Sequence, residues 1–535
     1  MRKSYLLLVP LFVGLALFVV SWWQTYPLYV TNVNGFIFDR VSILYWIALP
    51  IILVSLFAIA NNFKSDAVKC SAVVCIVLFM YSFSYLYAFL PTSDSQAFRG
   101  LTEYFIKTGN LTPQLLIQSY LNYPSFFVLA KLAVSTTAMG LPSFEFILYT
   151  VIGFLLATSL YKYFSSRHRT GGFVAVVAFF IPMYYFLDYQ DAPFTLAFAL
   201  FLLALMVESR FSDTKERLIL EVFLFIGMVF THPFVPLFFI LYELIIYVLN
   251  AESYHLRLFL LAAVIYFAFQ VSEAFETFSL SIITLFHASS EYSTIVQASL
   301  TSASTPIDHI AQDISRYLVI LTVFVAVTCF IYLIVKKKKG MLHRPVDVAI
   351  LISGILYSFV GVFVALLGSR AIPIAFIPVC LGVAYVYESK FKKYVIAFFI
   401  ISLLLFASLL IHNSFYTSQT LYQTQDAYAA ENFLINEYNW AQNSLILAHT
   451  RVVTYLETKE PSSETTFESD FSADFPLNLT DYDTIMYTIG LGQNLQNNNL
   501  TLEAALQGPP INLVYDNGFS CITIKSFNLS STNAP

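Results

Sequence analysis

Residues 317–339 read YLVILTVFVAVTCFIYLIVKKKK. The stretch up to Val335 carries no charge, and a run of about 20 helical residues is what the hydrocarbon core of a bilayer requires. The Lys336 to Lys339 tract behind it acts as a topology anchor, because cytoplasmic flanks of membrane helices are rich in Lys and Arg and face anionic lipid. This one segment predicts a spanning helix and its direction.

The same pattern recurs along the 535 residues, of which 58% are hydrophobic and 11% charged, with a mean hydropathy of +0.71. No soluble fold of this length needs so much apolar sequence. The 53 Phe and 35 Tyr suit helices whose ends sit in interfacial aromatic belts. Spans are expected near 5–23, 43–60, 70–90, 144–162, 173–187, 194–207, 218–231, 234–250, 258–275, 316–335, 347–367, 372–387 and 394–412. With the N-terminus inside, the inner segments collect 19 of the 28 Lys and Arg residues. The expected architecture is an α-helical polytopic membrane protein of about thirteen transmembrane helices, N-terminus cytoplasmic and C-terminus outside. The apolar run from Tyr5 to Trp23 after Arg2 and Lys3 reads as an uncleaved first helix.

Three parts are expected: residues 1–69 as two N-terminal transmembrane helices, residues 70–412 as a transmembrane core with the outer loop 91–143, and residues 413–535 as an extracytoplasmic α/β domain. In that loop, Phe126, Phe127 and Leu129 around Tyr123-Pro124 suggest a helix lying in the interface. The tail holds 13 Asp and Glu against three Lys and Arg, and its runs 444–448 and 511–515 read as strands. Sequons at Asn110, Asn478, Asn499 and Asn528 all fall on the outer side. Cys70, Cys75, Cys329, Cys380 and Cys521 have no disulfide or metal spacing.

The polar residues at the outer ends carry the candidate chemistry. Asp94, in Pro91-Thr92-Ser93-Asp94-Ser95-Gln96, is either the cap of a helix starting near Gln96 or a general base, since partial desolvation raises a carboxylate's proton affinity. Asp188 and Asp191 either end a tight turn or position an acceptor or a divalent cation, Mg or Mn; an Asp-x-x-Asp pair alone leaves most of such a cation's ligands unassigned. His232, in Thr231-His232-Pro233, reads as an interfacial cap or a substrate contact. Arg370, in Gly368-Ser369-Arg370-Ala371-Ile372-Pro373, opposes the usual charge bias at an outer turn and suits phosphate, or snorkels to a headgroup. Glu243 sits inside the eighth span, where a carboxylate is functional or is satisfied within the bundle.

In their order along the chain, Asp94, Tyr123-Pro124, Asp188 with Asp191, Thr231-His232-Pro233, and Arg370 with Pro373 resemble the GT-C superfamily of polyprenyl-phosphate-sugar-dependent glycosyltransferases. The resemblance covers about residues 70–412 and is nearest archaeal relatives of oligosaccharyltransferase catalytic subunits and protein mannosyltransferases. It implies a hexosyltransferase that moves a sugar from a polyprenyl (dolichyl) phosphate donor to a glycan, glycolipid or protein acceptor at the outer membrane face. It also implies Asp94 as the catalytic base and Arg370 beside the donor phosphate, with Asp188, Asp191 and His232 as substrate contacts. Nucleic acid is not an expected partner. In that family the acidic loop follows the first span; here it follows the third. The tail has no Trp-Trp-Asp-Tyr-Gly stretch, so transfer of a single sugar is expected. The competing classes are a transporter or flippase of lipid-linked glycans and a non-catalytic membrane scaffold. Sparse intramembrane charge and the lack of paired broken helices in matching halves speak against the transporter.

Overall fold

The computed structural model describes residues 7–26, 41–86, 93–109, 121–186, 193–211, 214–275, 306–336, 345–363 and 365–410, and five strand segments between 445 and 525. The chain forms two compact units. The first comprises residues 1–27, 37–88 and 119–416; the second comprises 28–36, 89–118 and 417–535.

The first unit is helical. In chain order its helices are α1 (Leu8–Thr25), α2 (Ile43–Asn62) and α3 (Asp66–Met80), the last followed by a 3₁₀ turn over Ser82–Leu86. After α4 (Ser93–Thr108), which belongs to the second unit, come α5 (Ser125–Thr137), α6 (Leu141–Arg167), α7 (Gly172–Phe186) and α8 (Pro193–Arg210). Then follow α9 (Thr214–Val229), α10 (Phe234–Asn250), α11 (Ser253–Ser272) and α12 (Pro306–Lys336). The set ends with α13 (Pro345–Phe363), α14 (Ala365–Tyr387) and α15 (Lys392–Leu405).

Among the described residues, six segments are long and apolar enough to cross a membrane: Leu8–Thr25, Ile43–Asn62, Leu141–Arg167, Ser253–Ser272, Asp313–Val335 and Lys392–Leu410. The chain is a helical membrane protein. The quoted stretch 317–335 lies within the fifth of these, and its apolar side chains Tyr317, Ile320 and Phe324 are exposed, as a lipid-facing stripe requires. Helices α5, α7, α8 and α10 are shorter.

At the centre is α7. It is apolar on every side, and a helix of that kind is stable only when surrounded. Each residue from Phe173 to Ile181 is fully buried, and the helix packs against α14, α6, α12 and α3. Close helix crossings depend on small residues, since dispersion and shape fit must replace a hydrophobic drive within lipid. A Cβ on Gly354 of α13 would meet the Ala375 Cα of α14 at 2.5 Å, and one on Gly382 of α14 would meet the Phe330 backbone of α12. Prolines 50, 182, 373 and 378 lie inside helices, a position that packed neighbours make tolerable in membrane bundles.

The helix expected around Phe126 is α5; Phe126, Phe127 and Ala130 are buried on it and Leu129 is exposed. In the second unit, the tail contributes β1 (Leu445–Ala448), β2 (Thr466–Ser469), β3 (Thr484–Tyr487), β4 (Ile511–Asp516) and β5 (Cys521–Lys525). They form one sheet in the order β2-β1-β3-β5-β4. β1 pairs in parallel with β2 and β3, whereas β5 pairs antiparallel with β3 and β4. Parallel neighbours need crossover connections of a dozen residues or more. The segments that make them, 449–465 and 470–483, lie outside the described residues, as do the four sequons.

Candidate functional site

The site grows from a turn. After α9 ends, the His232 N–H bonds back to the Met228 carbonyl at 2.9 Å, and the Thr231 hydroxyl donates to the Gly227 carbonyl at 2.5 Å. His232 then caps the next helix: its Nδ1 accepts the Phe234 N–H at 3.2 Å, meeting one of the first-turn amides that a helix leaves without an internal partner. An accepting Nδ1 places the neutral ring's proton on Nε2. The ring is buried, edge-on to Phe194 at 5.4 Å and to Phe234 at 5.8 Å. Phe194 lies in the first turn of α8, the helix that the Asp188–Asp191 loop leads into.

Other elements converge on the same turn. The Ser125 N–H at the start of α5 donates to the Phe230 carbonyl at 3.0 Å, directly after Tyr123-Pro124, and the Tyr123 hydroxyl donates to Gln270 of α11 at 3.1 Å. The Pro233 carbonyl accepts from Tyr266 of α11 at 3.0 Å, and the Phe234 carbonyl accepts from Tyr357 of α13 at 3.2 Å. Two of the sequence features, Tyr123-Pro124 and Thr231-His232-Pro233, thus meet beside the first turn of α8.

The remaining candidates fall differently. Arg370 was expected in a turn between spans ending at 367 and starting at 372. Instead α14 begins at Ala365, and Arg370 stands in its second turn. Ala365-Leu366-Leu367 and Ala371-Ile372 flank it, and in apolar surroundings the backbone cannot leave its amides and carbonyls unpaired, so the helix continues through Pro373. At 1.5 Å per residue the Arg370 backbone lies about 7.5 Å beyond Ala375 along α14, and Tyr357 about 4.5 Å beyond Gly354 along the antiparallel α13. Since Gly354 and Ala375 touch, Arg370 and Tyr357 sit at similar depth. Asp94 belongs to the second unit and occupies the second position of α4, which begins at Ser93 rather than Gln96. A carboxylate in a first turn is stabilised by the helix dipole. Asp188 and Asp191 lie outside the described residues. Among the described residues no group of three His, Cys, Asp or Glu side chains is arranged to hold a metal.

At the opposite helix ends, which the charge pattern assigns to the inner face, the structure assembles a buried ionic cluster. Glu208 at the end of α8 bonds Arg217 of α9 at 3.0 Å, and Arg217 bonds Glu221 one turn on at 2.9 Å. Tyr242 donates to Glu208, and Tyr254 donates to Glu221 at 2.5 Å. Glu243 meets His255 Nδ1 at 2.8 Å. The suspect eighth-span carboxylate is therefore satisfied within the bundle. Its partners carried little signal in the sequence, except that Arg217 and Glu221 stand four apart on one helix.

A separate carboxylate anchors the central helix. Glu388 accepts the backbone N–H groups of Thr170 (3.0 Å) and Gly171 (3.2 Å), the Thr170 hydroxyl (2.6 Å) and a contact from His168 Nδ1 (3.1 Å). Burial pushes its carboxyl up, but these donors outweigh burial and hold it below the usual carboxylate range.

No protein-family model matches this chain, and no curated protein matches it.

Proposed function

We propose that this chain is a membrane glycosyltransferase of GT-C type, which moves a single sugar from a polyprenyl-phosphate donor to an acceptor at the outer membrane face. The reading includes thirteen spans with the N-terminus cytoplasmic, and an extracytoplasmic α/β domain formed by residues 413–535. One observation carries it. Tyr123-Pro124, the first turn of α8 after the acidic loop, and Thr231-His232-Pro233 are distant in sequence and meet at one turn through a hydrogen bond or an edge-on ring contact.

In the proposed chemistry the donor lipid lies along the helices and Arg370 meets its phosphate, where a guanidinium fork fits two oxygens. Asp94 removes the proton of the acceptor hydroxyl as that oxygen attacks the anomeric carbon, and the polyprenyl phosphate leaves. Asp188 and Asp191 position the acceptor or hold a divalent cation, while His232 contacts the substrate from a rigid cap. Mass analysis of lipid-linked glycans in host cells with and without the protein tests this. Loss of one hexose from a glycan or glycolipid, with its polyprenyl-phosphate donor accumulating, is expected. An unchanged glycan profile counts against the enzyme.

The buried Glu208–Arg217–Glu221–Glu243–His255 cluster favours a second reading, a transporter or flippase of lipid-linked glycans. Buried ionisable groups within membrane spans are the usual material of proton relays. In that case the glycan's transmembrane distribution would change and its composition would not.

A further inference from the structure

The inner cluster has a charge imbalance that its hydrogen bonds localise. Glu221, Glu243 and His255 have side chains no more than 4% exposed, and Glu208 is 6% exposed. One oxygen of Glu208 is ion-paired with Arg217 Nη2 at 3.0 Å and the other accepts from Tyr242, while both oxygens of Glu221 accept, from Arg217 Nε and Tyr254. These donors favour the ionised forms of Glu208 and Glu221 over their protonated forms. Arg217 is a single cation and balances one of them. An ionised Glu243 beside a neutral His255 would leave the cluster two charges negative in a place closed to water, which is strongly unfavourable.

The groups facing this pair do not correct the imbalance. From α10, Tyr242 is a neutral donor, and from α11, so is Tyr254. Glu252 approaches His255 Nε2 at 3.8 Å and adds negative charge, although its side chain is 57% exposed. Arg167 of α6 pairs with Asp347 of α13 at 3.5 Å, and Tyr163 donates to the same carboxylate, so that group is internally neutral. Lys215, Glu216 and Arg257 are exposed.

We infer that Glu243 and His255 form a proton-binding site, holding one proton more at neutral pH than the same two residues hold in the unfolded chain, and so make the α8–α11 corner a pH-sensitive clasp. The proton rests either on Glu243 or on the second nitrogen of His255; both states give the same cluster charge, and the 2.8 Å Nδ1 to Oε2 bridge joins them. Because the folded state binds the extra proton, stability is complete below the ordinary histidine range, about 6.5, and declines as pH rises.

The test is an equilibrium unfolding series of the full chain in mixed micelles between pH 6.5 and 9. The folded-to-unfolded ratio should fall by up to about tenfold per pH unit, the slope for one bound proton. Glu243→Gln keeps an acceptor for His255 Nδ1–H and removes the need for the proton, so its slope should be flat. Glu221→Gln retains its acceptor oxygen and removes one negative charge, so its slope should be shallower than that of the native chain. A native profile independent of pH, or an unchanged slope in Glu243→Gln, would overturn the inference. If Glu243→Gln does not fold, Glu221→Gln decides: an unchanged slope there refutes it and a shallower one supports it.

Discussion

Replacing Arg217 with Leu should destabilise the bundle more than any surface substitution. The guanidinium is 14% exposed, bonds Glu208 at 3.0 Å and Glu221 at 2.9 Å, and lies 4.4 Å over the Tyr254 ring. Without it, two buried carboxylates lose their cation while each keeps only a tyrosine donor. Removing one partner of a buried ion pair costs about 3–5 kcal/mol, because the remaining charge is uncompensated. Serving two carboxylates puts Arg217 toward the upper part of that range, reduced by protonation of one of them. A loss of about 4 kcal/mol is expected, read as a shift of the equilibrium unfolding midpoint in mixed micelles. The triple variant Arg217→Leu, Glu208→Gln, Glu221→Gln removes all three charges and should recover most of the loss. The electrostatic reasoning fails if Arg217→Leu costs less than about 1 kcal/mol, or if the triple variant is no more stable than the single one.

Gly382→Leu should separate α12 from α14 and lower stability by at least the 1–3 kcal/mol typical of overpacking, since the added side chain meets the Phe330 backbone; thermal denaturation in detergent checks it. Glu388 binds its proton less readily in the folded protein, so its contribution is present above the ordinary glutamate range, about 4.3, and is lost as pH falls through its lower folded value. Glu388→Gln should therefore weaken the acid dependence of unfolding below about pH 5 and leave any alkaline dependence untouched. Arg370→Lys keeps the charge and loses the fork, so sugar transfer should fall sharply at normal protein abundance, and full activity in both Arg370→Lys and Arg370→Ala would remove the phosphate contact.

The sequence disclosed the bundle because a span is written in composition: the uncharged run 317–335 needs no partner to be recognised as a membrane helix. The strands β1 and β4 were legible for the same local reason, as short apolar runs in an acidic tail. Helix limits were less visible. Gly368-Ser369-Arg370 carries turn residues, yet the backbone there is helical between apolar neighbours in sequence, which shifts the α13–α14 boundary to residue 364. Within the candidate site, His232 could be singled out by its Thr-His-Pro setting, whereas its contact with Phe194 and the Ser125–Phe230 bond depend on helix packing. The inner cluster is the extreme case. Glu208, Arg217, Glu221 and His255 each look like an ordinary charge near a helix end, and only the meeting of α8, α9, α10 and α11 makes them one group.

The most direct test of the central claim is donor turnover by purified protein carrying Asp94→Asn, compared with the native chain at equal folded abundance. The probe is a synthetic polyprenyl-phosphate hexose in mixed micelles with a host glycolipid fraction, and the readout is release of free polyprenyl phosphate. The account predicts steady release by the native chain and a loss of at least about 100-fold in Asp94→Asn, the lower end of what a positioned general base contributes. Equal release by the two proteins, or none by the native chain in the presence of glycans it alters in cells, would contradict it.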